Sequence, residues 1–165
     1  MGGGAARRLG ERLKRFSFNR VLTSPLQRAS KMCALAGFGD VTEINLDLLE
    51  WDYGLYEGKR TPEILAERPG WELFRDGCPD GESPAEVAVR ADRFIQRVRD
   101  LGGHVLAFSS GHIIRMIAAR WLGLPPNAGR LFFCSPGSIG ELAFEHASLD
   151  QPIIRVWNYV EPSWR

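Results

Sequence analysis

The sequence predicts one α/β domain built on a largely parallel sheet. Short apolar segments, typical of strands, alternate with longer segments whose apolar residues recur at helical spacing. Alternation of this kind favours parallel pairing, because each helix carries the chain back across the sheet. The 165 residues are enough to bury a core, and they contain no internal repeat, low-complexity tract or linker. We therefore expect one domain over residues 1–165.

The first half of the chain predicts helices that alternate with short strands. An apolar face marks the first helix, and the dipeptide Ser24-Pro25 supplies an N-cap and a first helical residue for the second. Aromatic and acidic residues over 50–60 predict an irregular loop, and Thr61-Pro62 opens a small helix that ends before Gly70. In order, we expect a helix over 5–16, a strand over 20–23, a helix over 24–36, a strand over 41–46 and a helix over 61–68.

The second half begins with a Gly- and Pro-containing loop over residues 76–81. The run Ser83-Pro84-Ala85-Glu86 combines an N-cap, a proline at the first position and a capping box, so it predicts the start of a long helix. Leu124-Pro125-Pro126 ends the next helix. We expect a helix over 84–101, a strand over 105–108, a helix over 111–122, and closing strands over 138–144 and 153–159.

Charge and composition exclude several classes of function. The formal net charge is +1, which gives no support for binding nucleic acid or an anionic membrane. No apolar run reaches transmembrane length and no signal peptide is recognisable, so we expect a cytoplasmic protein. The three cysteines and three histidines are scattered without metal-ligand spacing. We expect free thiols, no metal site and no cofactor.

Three segments are expected to meet at the carboxyl ends of the parallel strands, where open α/β sheets bind ligands. Arg28 follows the first strand and is placed to bind phosphate oxygens. The loop around Glu50 and Asp52 brings carboxylates into an aromatic setting suited to acid–base chemistry. The turn at Ser110 and Gly111 leads from a strand into a helix, whose amino end attracts anions.

Each of these residues also has a purely structural interpretation. Arg28 fits a surface position on a helix, and Glu50 and Asp52 fit capping positions in a loop. His112 is consistent with a packed histidine in the first turn of a helix, and Ser110 with a turn residue. The residues taken singly leave both interpretations open.

Taken in order, the segments resemble the histidine phosphatase superfamily, the phosphoglycerate mutase-like proteins. The segment Thr23-Ser24-Pro25-Leu26-Gln27-Arg28-Ala29 is similar to that family's Ser-Ser-Pro-x-x-Arg-Ala motif. The loop over 50–58, the loop over 77–83 and the strand–turn–helix over 105–124 resemble its acidic loop, its Gly-Gly-Glu-Ser loop and its His-Gly unit. The resemblance covers nearly the whole chain and implies a three-layer fold with a mostly parallel sheet.

The resemblance assigns a role to individual residues. It implies that Arg28 binds phosphate, that Glu50 donates a proton and that Glu82 and Ser83 line the mouth of the site. The predicted catalytic residues are Glu50, Asp52, Ser110 and His112. The predicted ligand-binding residues are Ser24, Arg28, Tyr53, Glu82, Ser83 and Gly111.

The chain departs from the family pattern at its two histidines. The family's first central strand ends in Arg-His-Gly and carries the nucleophilic histidine, but this tripeptide occurs nowhere in the sequence. Ser110 stands where the second catalytic histidine belongs, and His112 lies two residues further on. We expect the first central strand to be missing, which leaves a gap in the sheet. This gap would be filled if the flanking strands moved together, if a second chain occupied it in a homodimer, or if the true start of the chain lay further upstream.

Three functions follow from this pattern. The first is a pseudoenzyme that binds an anionic or phosphorylated small molecule, or a partner, without phosphoryl transfer. The second is an enzyme of another reaction class that uses Glu50, Asp52, Ser110 or His112 for acid–base chemistry. The third is a residual phosphomonoesterase or mutase. The retained Arg28, Glu50 and aromatic loop favour a continuing function of the pocket, as in the first two, of which the first is our main expectation. The loss of both histidines argues against the third, because the phosphohistidine route needs one of them.

Overall fold

The computed structural model describes residues 3–160, and its helices and strands alternate as the sequence predicts. The helices in this range are α1 (Gly3–Leu13), α2 (Gln27–Leu35), α3 (Thr61–Glu67), α4 (Leu73–Asp76), α5 (Pro84–Leu101) and α6 (Gly111–Trp121). The strands are β1 (Arg20–Thr23), β2 (Thr42–Ile44), β3 (Val105–Phe108), β4 (Ile139–Phe144) and β5 (Pro152–Tyr159). Short 3-10 turns join several of these elements.

The strands form a parallel sheet and a separate hairpin. β1 lies in the middle of the sheet and pairs in parallel with β2 on one side and β3 on the other. β4 and β5 pair with each other in antiparallel orientation, with two irregularities in register. Within residues 3–160, β3 pairs with β1 alone, so its second edge has no strand partner. The predicted α/β class with a mostly parallel sheet is confirmed.

Helices cover both faces of the sheet. Val21 of β1 packs into a cluster with Ala29 and Cys33 of α2, whereas Leu22 faces the main core with Val87 of α5. Adjacent residues of a strand point to opposite faces, so this division places α2 below the sheet and α5 above it. The result is a three-layer arrangement in which the carboxyl ends of β1 and β3 lie at the same edge.

Helix α5 shows how local signals fix an element. The Ser83 Oγ accepts a hydrogen bond from the Glu86 N–H, and the Glu86 carboxylate accepts one from the Ser83 N–H at 2.8 Å. Pro84 occupies the first position, where no intrahelical donor is needed, and Gly102 ends the helix with a φ of +62°. The observed bounds match the predicted ones.

Other elements differ from prediction for local reasons. α2 begins at Gln27 because Leu26 is extended, and the Ser24 Oγ accepts a hydrogen bond from the Leu26 N–H at 3.3 Å. β2 ends at Ile44 because the Asn45 side chain accepts from the Asp47 N–H and starts a 3-10 turn. α4 was not predicted, since a single turn leaves too short an apolar pattern.

No helix between residues 3 and 160 is both long and apolar enough to cross a membrane.

Candidate active site

A cleft of about 740 Å³ opens beyond the carboxyl ends of the parallel strands. The first turn of α2 forms one wall, and the acidic loop that follows β2 forms the other. Its charged and aromatic lining consists of Arg28, Glu50, Trp51, Asp52, Tyr53, Glu57, Glu82 and Arg90. Five of the predicted site residues are therefore brought together: Arg28, Glu50, Asp52, Tyr53 and Glu82.

Arg28 is an exposed cation of this cleft and lies in the first turn of α2. Its guanidinium makes no hydrogen bond or ion pair with any residue that the structure describes. The other arginine of the lining, Arg90, is engaged by Glu82. A guanidinium without a protein partner can bind two oxygens of one phosphate.

Glu50 occupies the amino end of α6. Its Oε1 accepts hydrogen bonds from the N–H groups of Trp51 and Ile113, both at 3.0 Å, and its Oε2 accepts from the His112 N–H at 3.3 Å. A carboxylate in this position matches the positive end of the helix dipole. The first N–H groups of α6 are therefore hydrogen-bonded to a carboxylate of the protein itself. Gly111, predicted to bind the ligand, does not line the cleft.

His112 lies behind the acidic loop. Its Nδ1 is 2.6 Å from the Tyr53 Oη, and the rings of Tyr53 and Phe74 both contact it edge to face. Burial lowers the pKa of His112, and nearby Arg115 lowers it further, while the charge of Glu50 opposes both. Burial and the charge of Glu50 raise the pKa of Tyr53. At neutral pH the pair is therefore an uncharged imidazole beside an uncharged phenol.

Several predicted residues serve local structure. Ser83 caps α5, and Ser24 is buried with its Oγ bonded to the Leu26 N–H. The Asp52 Oδ1 accepts from the Gly54 N–H at 2.9 Å, so it stabilises the turn of the acidic loop. Ser110 is the N-cap residue of α6, but its side chain makes no capping hydrogen bond. Ser24, Ser83, Ser110 and His112 do not line the cleft.

The described residues hold no cluster of three or more His, Cys, Asp or Glu side chains able to bind a metal ion. Cys33, Cys78 and Cys134 are free thiols. Burial raises the pKa of Cys78 to about 11, and the charges of Asp52 and Glu57 act in the same direction. This thiol is therefore protonated at neutral pH.

Arg90 is a residue of the cleft that the sequence analysis missed. It lies on the buried face of α5, between Val87 and Phe94, and only 9% of its surface is exposed. An arginine on an otherwise apolar helix face is a signal visible in the sequence, because a buried charge needs partners.

Comparison with known proteins places these features in a family. The sequence profile of the histidine phosphatase superfamily (branch 1) matches residues 1–159. The chain belongs to this superfamily. An acid phosphatase of Mycobacterium tuberculosis is 37% identical over 144 residues, which cover 86% of this chain and 70% of that protein. A sedoheptulose 1,7-bisphosphatase of Saccharomyces cerevisiae is 38% identical over an alignment of 160 positions that covers 67% of this chain. The match spans 59% of the yeast protein, less than two thirds.

Solved structures confirm the fold. The structure of open reading frame Rv3214 from Mycobacterium tuberculosis has a TM-score of 0.88 and 35% identity, covering 95% of this chain and 81% of that one. A mycobacterial glucosyl-3-phosphoglycerate phosphatase in complex with inorganic phosphate has a TM-score of 0.81 at 23% identity, covering 95% of this chain and 84% of that one. The predicted phosphoglycerate mutase-like fold is correct.

The relatives correct the functional expectation. We expected a pseudoenzyme that binds its ligand without phosphoryl transfer, because Ser110 replaces one histidine and the Arg-His-Gly motif is absent. Relatives at 37% and 38% identity are named as phosphatases, so that expectation is wrong. The cleft agrees with the correction, since it is lined both by Arg28, whose guanidinium has no partner within residues 3–160, and by the Glu50 carboxylate.

Proposed function

We propose that this protein is a phosphatase that hydrolyses phosphomonoesters of small molecules in the 740 Å³ cleft. The observation that carries the proposal is the placement of Arg28 and Glu50 on two walls of this one cleft. The names of the two relatives, acid phosphatase and sedoheptulose 1,7-bisphosphatase, support the same class of reaction.

The proposed roles follow from the contacts of each side chain. Arg28 binds the phosphate oxygens, because it is the lining cation without a protein partner among the described residues. Glu50 exchanges the proton, since its carboxyl is fixed at the cleft wall by three backbone N–H groups. Overall, the bond between phosphorus and the alcohol oxygen breaks, water supplies the new oxygen on phosphorus, and the alcohol leaves with a proton.

His112 and Tyr53 support the wall behind Glu50. Because His112 is uncharged at neutral pH, Arg28 rather than His112 attracts the phosphate. The contact of 2.6 Å between the His112 ring and the Tyr53 phenol ties the first turn of α6 to the acidic loop. We infer that this contact holds the loop and the helix at a fixed position relative to each other during the reaction.

Steady-state hydrolysis of p-nitrophenyl phosphate tests the proposal. Arg28→Ala is expected to lower kcat/KM about 100-fold, because hydrogen bonds from a charged donor contribute about 1.5–3 kcal/mol each. Glu50→Gln is expected to lower kcat about 100-fold or more, as loss of an acid–base group does. Exposed Arg15→Ala and Glu67→Gln are matched controls outside the cleft and should retain parental rates. Absence of turnover by the parent protein, or full activity of Arg28→Ala, would contradict the proposal.

We also propose a homodimer and a cytoplasmic location. The second edge of β3, which has no strand partner within residues 3–160, supports pairing between two copies. The free thiols support a reducing compartment. Light scattering of the purified protein tests the dimer, and fractionation of the source cells tests the location. A monomer at micromolar concentration, or recovery outside the cytoplasm, would contradict the respective proposal.

A further inference from the structure

We propose that Arg90 is the positioning residue of the site, because it holds the acidic loop so that Glu50 stays at the amino end of α6. The catalytic consequence rests on the proposed phosphatase function, whereas the structural consequence does not. The five hydrogen bonds that Arg90 makes go to residues 47–50 and to Glu82, and none of them goes to Arg28 or to α2, so its effect on Glu50 can be separated from phosphate binding.

All five N–H groups of the Arg90 guanidinium are bonded to acceptors within residues 47–50 and on Glu82. Its Nη1 donates to the carbonyl oxygens of Asp47 at 3.0 Å and Leu49 at 2.7 Å. Its Nη2 donates to the Glu50 carbonyl at 3.4 Å, and Nη2 and Nε bind the Glu82 carboxylate at 2.7 and 2.8 Å. One buried side chain thus fixes the backbone on the amino-terminal side of the Glu50 side chain.

Glu82 extends the same clamp to the other side of Glu50. Its Oε2, already bonded to Arg90, accepts from the Asp52 N–H at 2.9 Å. Its backbone N–H donates to the Asp52 carbonyl, and its carbonyl accepts from the Trp51 Nε1, both at 2.9 Å. Residues 47–49 and 51–52 are therefore held by one Arg90–Glu82 unit, and Glu50 lies between them.

This geometry requires the fork of an arginine rather than a positive charge alone. The guanidinium serves five acceptors in fixed directions, which an ammonium group cannot reproduce. Arg93, one turn further along α5, provides a contrast. It contacts the Asp47 side chain at 2.7 Å, but its own side chain is 58% exposed and bonds no carbonyl of the loop.

The structural consequence can be measured by NMR without any turnover. In Arg90→Met, Glu50 is released from its place, so the amide resonances of His112 and Ile113 should shift, because they lose their acceptor. The titration of the His112 ring should also differ from the parental one, since burial, which lowers its pKa, and the charge of Glu50, which raises it, both depend on the position of the loop. Arg115 and Tyr53 are the other titratable groups beside this ring. Arg93→Met should leave both signals as in the parent.

Two more variants keep the test decisive. Arg90→Lys restores the charge but not the fork, so it should behave like Arg90→Met; recovery of the parental signals would overturn the role of the fork. If Arg90→Met does not fold, Glu82→Gln removes the carboxylate and keeps the carbonyl contacts, and should move the same resonances by a smaller amount. Parental amide shifts and an unchanged His112 titration in a folded Arg90 variant would overturn the proposal.

The catalytic consequence is a split between kcat and KM. With p-nitrophenyl phosphate, Arg90→Met is expected to lower kcat about 10- to 100-fold, as small misplacements of a catalytic group do, and to change KM less than about threefold. Arg93→Met should retain both constants. If the parent shows no turnover, the proposed function fails, while the NMR comparison still decides the role of Arg90. Equal kcat values in active parent and Arg90→Met proteins would overturn the positioning role.

Discussion

Replacing Glu50 by alanine should destabilise the protein, because its carboxylate serves as the N-terminal cap of α6. The substitution removes the acceptor for the N–H groups of His112 and Ile113 and for that of Trp51. Loss of a helix cap costs about 1 kcal/mol, and loss of a carboxylate from a partly buried helix amino end costs about 0.5–2 kcal/mol more. For a chain of this size we expect the Tm to fall by about 4–10 °C.

Thermal unfolding followed by circular dichroism checks this value. Glu57→Ala is the matched control, since Glu57 lies on the same loop, is exposed, and its carboxylate makes no hydrogen bond or ion pair with a described residue. Part of the Glu50 effect should weaken in high salt, because the charge–dipole interaction is screened. Glu50→Gln, which keeps one acceptor oxygen, should lose about half as much stability. A Tm for Glu50→Ala equal to or above that of the parent would refute the capping argument.

Three further predictions concern the same region. Ser110→Ala should lower the free energy of unfolding by less than about 0.5 kcal/mol, because the Ser110 hydroxyl makes no capping hydrogen bond. Ser83→Ala should lower it by about 1 kcal/mol, because the α5 capping box is lost. Urea unfolding of the two variants measures this difference. Gly54→Ala should destabilise the protein by at least about 2 kcal/mol, since its φ is +49° and a Cβ would overlap the Pro79 carbonyl oxygen. Gly58→Ala, where φ is also positive but no atom lies close to the added Cβ, should destabilise it by about 1 kcal/mol. Equal losses of stability in the two variants would contradict the close approach at Gly54. Because the pKa of His112 is lowered in the folded protein, the unfolded chain binds this proton at a higher pH than the folded one. The stability of the parent should therefore decline as the pH falls below about 6.5, and His112→Gln should make that decline less steep. Parallel plots of Tm against pH for the two proteins between pH 5 and 8 would contradict this prediction.

The sequence predicts elements that carry their own start and stop signals. α5 begins and ends where Ser83, Pro84 and Gly102 place it, because a capping box and a glycine with positive φ act within one turn. β1 and β3 were predicted within their observed bounds, since both are short apolar segments between polar turns. The three-layer arrangement follows from the alternation of these elements.

Contacts between distant residues were not predictable in the same way. Glu50 caps a helix that begins more than sixty residues later, and nothing near position 50 indicates that acceptor role. The sequence around Arg90 predicts a helix, and only its place on an apolar face of that helix indicates a buried partner such as Glu82. The family pattern identified the cleft residues Arg28 and Glu50, but the absence of the family's two catalytic histidines led to a wrong functional expectation.

The rate at which the purified protein releases inorganic phosphate from a phosphomonoester tests the proposed function most directly. The comparison is between the parent protein and the double variant Arg28→Ala, Glu50→Gln at equal concentration of folded protein. We predict steady turnover by the parent and a rate at least about 1,000-fold lower for the double variant, which lacks both the proposed phosphate-binding group and the proposed proton-exchanging group. Equal rates for the two proteins, or no release of phosphate by the parent, would contradict a phosphatase that works through this cleft.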